Sequence, residues 1–356
     1  MKRKMQHFIV ENKKVYVGLE DSKRTWKISV RCEEREIDYV SMAAQYTNLR
    51  THLKNKYPGC DITVIYEAGF RGFSLYDKLT EDGITCIVTP PSKVTQEKKN
   101  KVKTDKIDAR RLATVLEKKD YKCCTIPDIE RREDRQISRM LIQVQKEITR
   151  EKNRIRKFFD NNGYAETFKA GAWSEQDYQI AREFELSPAL KLVLNSYFEI
   201  LDKLKTVQKE LHKQVMVLCK KDRYKDIVNR INSTAGVGKL TAIRLVLEWG
   251  DDLGTRFRSG NALASFSGLT QSEYSTGDTI RKGRITKQGR GYIRAWLIQC
   301  SWVCIKKDPA MLSAFNRLAT NTASKKKAIV AIARKLVVRI WTCVNKNVDY
   351  CIGVIS

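Results

Sequence analysis

The sequence predicts a mixed α/β domain at its N-terminal end and a mainly helical remainder. Three observations carry this. Short apolar or alternating segments crowd residues 15–90, each bounded by turn residues. From Ile137 onward the apolar positions recur at helical rather than strand spacing. The chain has 356 residues, 42% of them hydrophobic, enough for two or three domains with a sizeable core.

Taken in order, VYVGL (15–19) reads as a strand, TWKISV (25–30) as its hairpin partner and EIDYV (36–40) as a third strand. Residues 41–56 have helical periodicity, and Pro58-Gly59 ends that element. DITVIYEAG (61–69) is a buried-type strand with Glu67 at its end, followed by a short helix near 72–80. ITCIVTP (84–90) is the last strand, stopped by Pro90-Pro91. Three strands, a helix, then alternating strand and helix is the order of a ribonuclease H-like domain, and other α/β folds share it.

Two heptad-like seams follow. One runs through positions 137, 141, 144, 148, 155 and 158, with Glu151 interrupting. The other runs Val193, Tyr197, Ile200, Leu204, Val207, Leu211 and Leu218. The two helices can pair within one chain, across a dimer, or pack on the rest of the protein. Beyond them, the Gly236-x-Gly238 turn between two helices has the look of a helix–hairpin–helix, whose backbone N–H groups can bind phosphate. A turn between packed helices is the alternative. It is not a nucleotide P-loop, because Ser233 and Leu240 stand where that motif needs Gly and Ser/Thr.

Charge points to the partner. There are 68 Lys+Arg against 41 Asp+Glu, a formal charge of +27. That excess calls for a polyanion, nucleic acid before a membrane surface. Residues 281–346 hold sixteen Lys/Arg and a single acid, Asp308, interleaved with Tyr292, Trp296, Trp302, Phe315 and Trp341. No apolar run is long enough to span a membrane, and the basic N-terminus lacks the apolar core of a signal peptide, so the expected location is the cytoplasm. Ten cysteines without a C-x-x-C pair and three scattered histidines argue against structural zinc and for reduced thiols.

The chemistry centres on Lys101–Ala113, KVKTDKIDARRLA. Asp105 and Asp108 lie three apart, on one face of a predicted helix, among five basic residues. A solvated helix of mixed charge explains this stretch taken alone. Glu20 follows the first strand and Glu67 ends a central one. In a ribonuclease H-like sheet these strand ends and a later helix converge. Carboxylates placed there hold divalent metal for phosphodiester chemistry, and an all-oxygen set suits Mg2+ (or Mn2+).

At this point the chain resembles the DEDD-type transposases of the insertion-sequence one-ten group, the bridge-RNA-guided recombinases. The resemblance rests on VYVGLEDSK (15–23), YEAGFRGFSLYDKL (66–79), VKTDKIDARRLA (102–113), STAGVGKLTA (233–242) and FSGLTQSEYSTGDTIRKGRITKQGRGYIRAWL (266–297). It covers nearly the whole chain, in order. It implies a RuvC-like catalytic domain over 1–125, a helical coiled-coil segment over 126–222 and a C-terminal transposase domain over 223–356. It implies catalytic, metal-holding acids at Glu20, Glu67, Asp105 and Asp108. The family pattern has Asp where this chain has Glu20. The adjacent Asp21 is the alternative, which a strand turns to the opposite face.

The resemblance further implies a nucleophilic serine in EYSTG, at Ser275, with Thr276 and Ser272 as alternatives. The reaction would be DNA strand exchange through a serine–DNA intermediate in a bacterial homo-oligomer, dimer or tetramer. Its partners would be donor DNA, target DNA and a structured non-coding guide RNA. The expected nucleic-acid contacts are Lys101, Lys103, Lys106, Arg110, Arg281, Lys282, Arg284, Lys287, Arg290 and Arg294. Two rival readings remain. One is a metal-dependent nuclease or junction resolvase using water as nucleophile. The other is a non-catalytic nucleic-acid-binding protein.

Overall fold

A computed structural model describes residues 10–91, 104–168, 171–276, 279–286 and 288–353, with the backbone alone described at 274–276 and 279–282. The chain divides into two compact units, 1–126 and 127–356.

In the first unit, five strands form one sheet: β1 (Lys14–Asp21), β2 (Thr25–Cys32), β3 (Arg35–Ala43), β4 (Asp61–Glu67) and β5 (Thr85–Thr89). Their order is β3-β2-β1-β4-β5. The β1–β2–β3 meander is antiparallel, and β4 and β5 run parallel to β1. Three helices complete the unit: α1 (Tyr46–Lys56), α2 (Ser74–Glu81) and α3 (Asp105–Glu117). The order is that of a ribonuclease H-like domain. One boundary differs from expectation. Residues 41–43 belong to β3 rather than to the helix, because Ser41, Met42 and Ala43 pair with Lys27, Trp26 and Thr25.

Strand alternation sorts the side chains onto two faces. Val15, Val17, Leu19, Val64, Tyr66, Cys86 and Val88 join Leu49, Leu53, Leu75 and Leu79 in a core under α1 and α2. The intervening positions Tyr16, Ile65 and Ile87 meet Leu112, Val115 and Leu116 of α3. Gly18 lies on this second face and lets α3 come down onto β1. A Cβ there would stand 2.2 Å from the Ala109 carbonyl oxygen and from the Ala113 nitrogen. The first turn of α3 is capped by Thr104, whose side chain accepts from the Ile107 amide.

In the second unit, α4 (Ile129–Asn161) and α6 (Pro188–Leu218) pack against one another, with α5 (Glu175–Glu183) beside them. α4 starts at Asp128, whose carboxylate accepts from the Arg131 amide. Its expected seam is the buried one: Leu141, Val144, Ile148, Ile155 and Phe158 are all buried, and so is Glu151. The seam expected on α6 holds in part: Tyr197, Leu204, Leu211 and Leu218 pack against the core. The buried stripe is Leu194, Phe198, Leu201, Val215 and Leu218, while Val193, Ile200 and Val207 are exposed. The reason is that LVLNSYFEIL is apolar on two neighbouring stripes, so heptad spacing alone does not choose between them. Phe159, Phe168, Trp173 and Phe184 close the end of the pair as an aromatic cluster.

The rest of this unit is helical around one β-hairpin. It comprises α7 (Asp222–Asn232), α8 (Lys239–Trp249), α9 (Leu253–Arg256), α10 (Gly260–Phe266), the hairpin β6 (Gln271–Thr276) and β7 (Thr279–Ile285), then α11 (Gly291–Lys307), α12 (Pro309–Thr322) and α13 (Lys325–Asn345). Trp249, Ile243, Leu297, Cys304, Ile332 and Leu336 are in its core, together with Leu141, Val215 and Leu218 of the long helices. Packing is therefore continuous across residue 222. Gly236 has φ +86°, and a Cβ on it would meet the α11 backbone at 2.4 Å, so this turn glycine serves helix packing.

Candidate active site

The first unit brings three of the expected acids to one face of the sheet. β1 and β4 are paired through Leu19 and Tyr66. One residue further on, Glu20 and Glu67 stand level at adjacent strand ends. Both share the parity of Gly18 and Ile65, the positions against which α3 packs. Asp108, in the first turn of α3, is buried beside them, and Asp105, one turn earlier, is exposed. Both aspartates gain from the positive end of the helix.

Arg111 links the helix to the sheet. Its Nη2 contacts Glu67 Oε1 at 3.1 Å and Asp108 Oδ1 at 3.3 Å. Two carboxylates thus converge on one cation, the arrangement that anionic oxygens adopt around a shared positive charge. Asp21 does not share this face. It accepts a hydrogen bond from Trp26 Nε1 at 2.7 Å and is ion-paired with Arg71, whose Nε lies 2.9 Å away, and burial pushes its carboxyl up from the ordinary range.

Among the described residues, no group of three His, Cys, Asp or Glu side chains is gathered closely enough to hold a metal. The donor chemistry nevertheless suits a hard divalent cation, since the converging groups are all carboxylates. Two buried polar atoms beside them have no hydrogen-bond partner among the described residues: Arg111 Nε and the hydroxyl of Thr89, which is paired in register with Glu67. Polar atoms left unmatched at such a point are what an absent ligand or its water would satisfy. The donor chemistry thus suits a divalent metal, while the spacing among the described residues, with Arg111 lying between Glu67 and Asp108, does not gather one.

Ser275 lies in the second unit, on β6. It pairs with Ile280 one position before the last hairpin pair, Thr276–Thr279. Ser272, at the other end of β6, donates its hydroxyl to the Arg284 carbonyl at 3.2 Å. Of the expected nucleic-acid contacts, Lys101, Lys103 and Lys287 lie outside the described residues, as do the side chains of Arg281 and Lys282. Lys106 and Arg110 each lie 5.1 Å from the centre of the Tyr39 ring, and Arg110 is also held by both oxygens of Glu36 at 2.8 Å. Arg290 sits 3.6 Å from Glu248, and Arg294 reaches the Gly268 carbonyl at 3.5 Å.

Sequence reasoning missed Arg111, Thr89 and Gly18. The i, i+3 spacing of Asp108 and Arg111 was a usable signal for the first. A glycine inside a strand signals close backbone approach, which would have found the last.

Two family descriptions match the chain, one after the other. Residues 17–162 match the transposase family DEDD_Tnp_IS110, and residues 228–316 match the Transposase IS116/IS110/IS902 family. The protein y4qE of Sinorhizobium fredii is 26% identical over 238 residues, 67% of this chain and 57% of its own length. The chain thus spans little more than half of that relative. The transposase for insertion sequence element IS1533 of Leptospira borgpetersenii is 25% identical over 246 residues, 67% of this chain and 70% of the relative. The pilin gene-inverting protein of Moraxella bovis is 31% identical over 114 residues, 32% of this chain and 35% of the relative. With both blocks matched in order, and with the acids of the first block set on one face of a ribonuclease H-like sheet, the chain belongs to the IS110-type DEDD transposases.

Proposed function

We propose that this transposase is a site-specific DNA recombinase of an insertion sequence, cutting and rejoining strands through a serine–DNA intermediate. The observation that supports the reading is that Glu20 and Glu67 stand level at adjacent strand ends on the face that carries α3, where Arg111 joins Glu67 to Asp108. Glu20, Glu67, Asp105 and Asp108 would hold Mg2+ or Mn2+, which when bound supplies charge stabilisation at a scissile phosphate. The name of the Moraxella relative, a gene-inverting protein, favours rejoining over simple cutting.

In this reading the Ser275 oxygen attacks phosphorus. An O–P bond to serine forms, the bond to the leaving deoxyribose oxygen breaks, and that oxygen takes up a proton. A hydroxyl of the exchanged strand then attacks the same phosphorus and returns the serine, with no net loss of phosphodiester bonds. The basic segment around the hairpin would hold the DNA and an element-encoded guide RNA by phosphate contacts. The exposed α6 residues Val193, Ile200 and Val207, spaced by seven, fit a seam with a second copy of the chain. Such an oligomer would bring Ser275 of one copy to the acids of another.

Incubating the protein with substrate DNA, guide RNA and Mg2+ and trapping the protein–DNA adduct tests the mechanism. The adduct should map to residue 275 and vanish in Ser275→Ala. A nuclease or junction resolvase with water as nucleophile predicts cleavage that survives this substitution.

A further inference from the structure

Where α4 ends, the second unit carries an open cavity of about 730 Å³. Arg150, Asn153, Arg154 and Lys157 line it at i, i+3, i+4 and i+7, so one face of the helix supplies them, and Arg156 adds a further cation. Asp160 is the one carboxylate among its described lining residues. Two of the four cations are already paired: Arg150 with Glu147, and Arg154 Nη1 with Glu151 Oε2 at 2.6 Å. The other two are not. Arg156 donates to the Gly171 carbonyl and to the Asn153 amide oxygen, both of them neutral. Lys157 is exposed and has no ion pair among the described residues. The cavity therefore keeps positive charge that Asp160 alone does not offset.

The rest of the lining is aromatic. Tyr164, Phe168 and Trp173 are half-buried, and Phe159 beneath them is 1% exposed. The Phe168 and Trp173 rings are stacked, with centroids 4.4 Å apart and planes 29° from parallel. Phe159 packs against both, at 4.6 Å and 5.8 Å. These rings hold one another in place before any ligand arrives, so a flat partner meets them at little cost in side-chain entropy.

Rings beside uncompensated cations suit a nucleotide, whose base offers a π-face and whose phosphate offers the anion. An acidic peptide would use the cations and leave the rings without a partner. The cavity falls within the roughly 300–1,000 Å³ typical of small-ligand sites, room enough for a nucleotide. A duplex keeps its base faces stacked on one another, so the base that enters must come from a single strand.

We propose that this cavity binds a nucleotide of a single-stranded nucleic acid, its base against Phe168 and Trp173 and its phosphate at Arg156 and Lys157. The site takes no residue from the acid cluster or from the β6–β7 hairpin, and it does not depend on serine chemistry. RNA and DNA share the chemistry it recognises.

The test is equilibrium binding of labelled oligothymidylate and oligouridylate by the full chain in EDTA, across a salt series, where no strand is cut. Trp173→Ala should weaken affinity about tenfold, the loss expected when one base loses its stacking partner. An oligomer of abasic sugars, which keeps the phosphates and lacks the bases, should bind parent and variant alike. Lys157→Gln should lower the slope of log affinity against log salt by about 0.7. Its thermal unfolding should match the parent's, which guards against a Trp173 variant that fails to fold. A loss on either homopolymer supports the site, and the probe with the larger loss tells RNA from DNA. Unchanged affinity and slope on both probes would overturn it, and so would an equal Trp173→Ala loss on the abasic oligomer or on a labelled duplex. Ser275→Ala should leave all of these values as they are, so this site and the serine reading fail separately.

Discussion

Gly18→Ala is the substitution that most directly probes how the acid site is built. The added Cβ would lie 2.2 Å from the Ala109 carbonyl oxygen, 2.2 Å from the Ala113 nitrogen and 2.9 Å from the Ala113 Cα. Carbon against a carbonyl oxygen needs roughly 3.3 Å. The opposing atoms are helix backbone and cannot swing aside, so α3 must retreat by roughly 1 Å. Overpacking of this kind costs about 1–3 kcal/mol, and two backbone contacts put the expectation at the upper end. For a unit of this size that lowers the melting temperature by about 10 °C. The retreat carries Asp108 away from Glu67, and a displacement of this order costs about a hundredfold in rate. Thermal unfolding by circular dichroism and a strand-exchange assay read both effects. Gly69→Ala is the stability control, since its nearest neighbour would be 3.7 Å away. If Gly18→Ala melts within about 2 °C of the parent and exchanges strands at the parental rate, α3 does not rest on β1 as described.

Three further outcomes follow from the same structure. Burial alone would raise the Glu248 carboxyl, but the Arg139 hydrogen bond and the charges of Arg135 and Arg139 outweigh it and hold it at about 2, against an ordinary 4.5. A depressed carboxylate stabilises the fold above its unfolded pKa, and that contribution drains away as pH falls from about 4.5 toward 2. Glu248→Gln should therefore lose roughly 3 kcal/mol at neutral pH and flatten the acid limb of urea midpoints plotted against pH; parallel curves for the two proteins would refute this. Arg111→Met should melt lower in EDTA and recover more on adding Mg2+ than the parent does, and an identical Mg2+ response would argue against metal at Glu67 and Asp108. Ile200→Asp with Val207→Asp should shift sedimentation toward a smaller species, and an unchanged profile would remove α6 from the subunit interface.

The face assignment of the acids was partly legible in the sequence. A period of two puts Glu20 with Gly18 and separates it from Asp21, whatever the sheet does. The alternation does not say which face carries α3. That depends on register between strands 47 residues apart in sequence, and on a helix that settles only where Gly18 leaves room. Arg111 was visible as a neighbour of Asp108 on α3, but its contact with Glu67 exists only once the helix lies on the sheet.

The middle and C-terminal parts show the same division. Heptad spacing identified both long helices, and it found the buried seam of α4 because charge clears the other faces of that helix. On α6 it found Tyr197, Leu204, Leu211 and Leu218 but missed Leu194, Phe198 and Leu201, because two apolar stripes compete and the packing against α4 decides which is covered. The β6–β7 hairpin left little trace, since QSEYST and TIRKGRI are polar and lack clear alternation. The sequence by itself determined the fold class, the strand-end positions of Glu20 and Glu67, the helical pairing of Asp105 with Asp108 and the need for a polyanionic partner, because these follow from local period and charge. Tertiary structure alone decided that Arg111 sits between two carboxylates and that Arg244 is buried beside Gln145 and Trp296. Both depend on contacts between segments far apart in the chain, and local pattern carries no information about them.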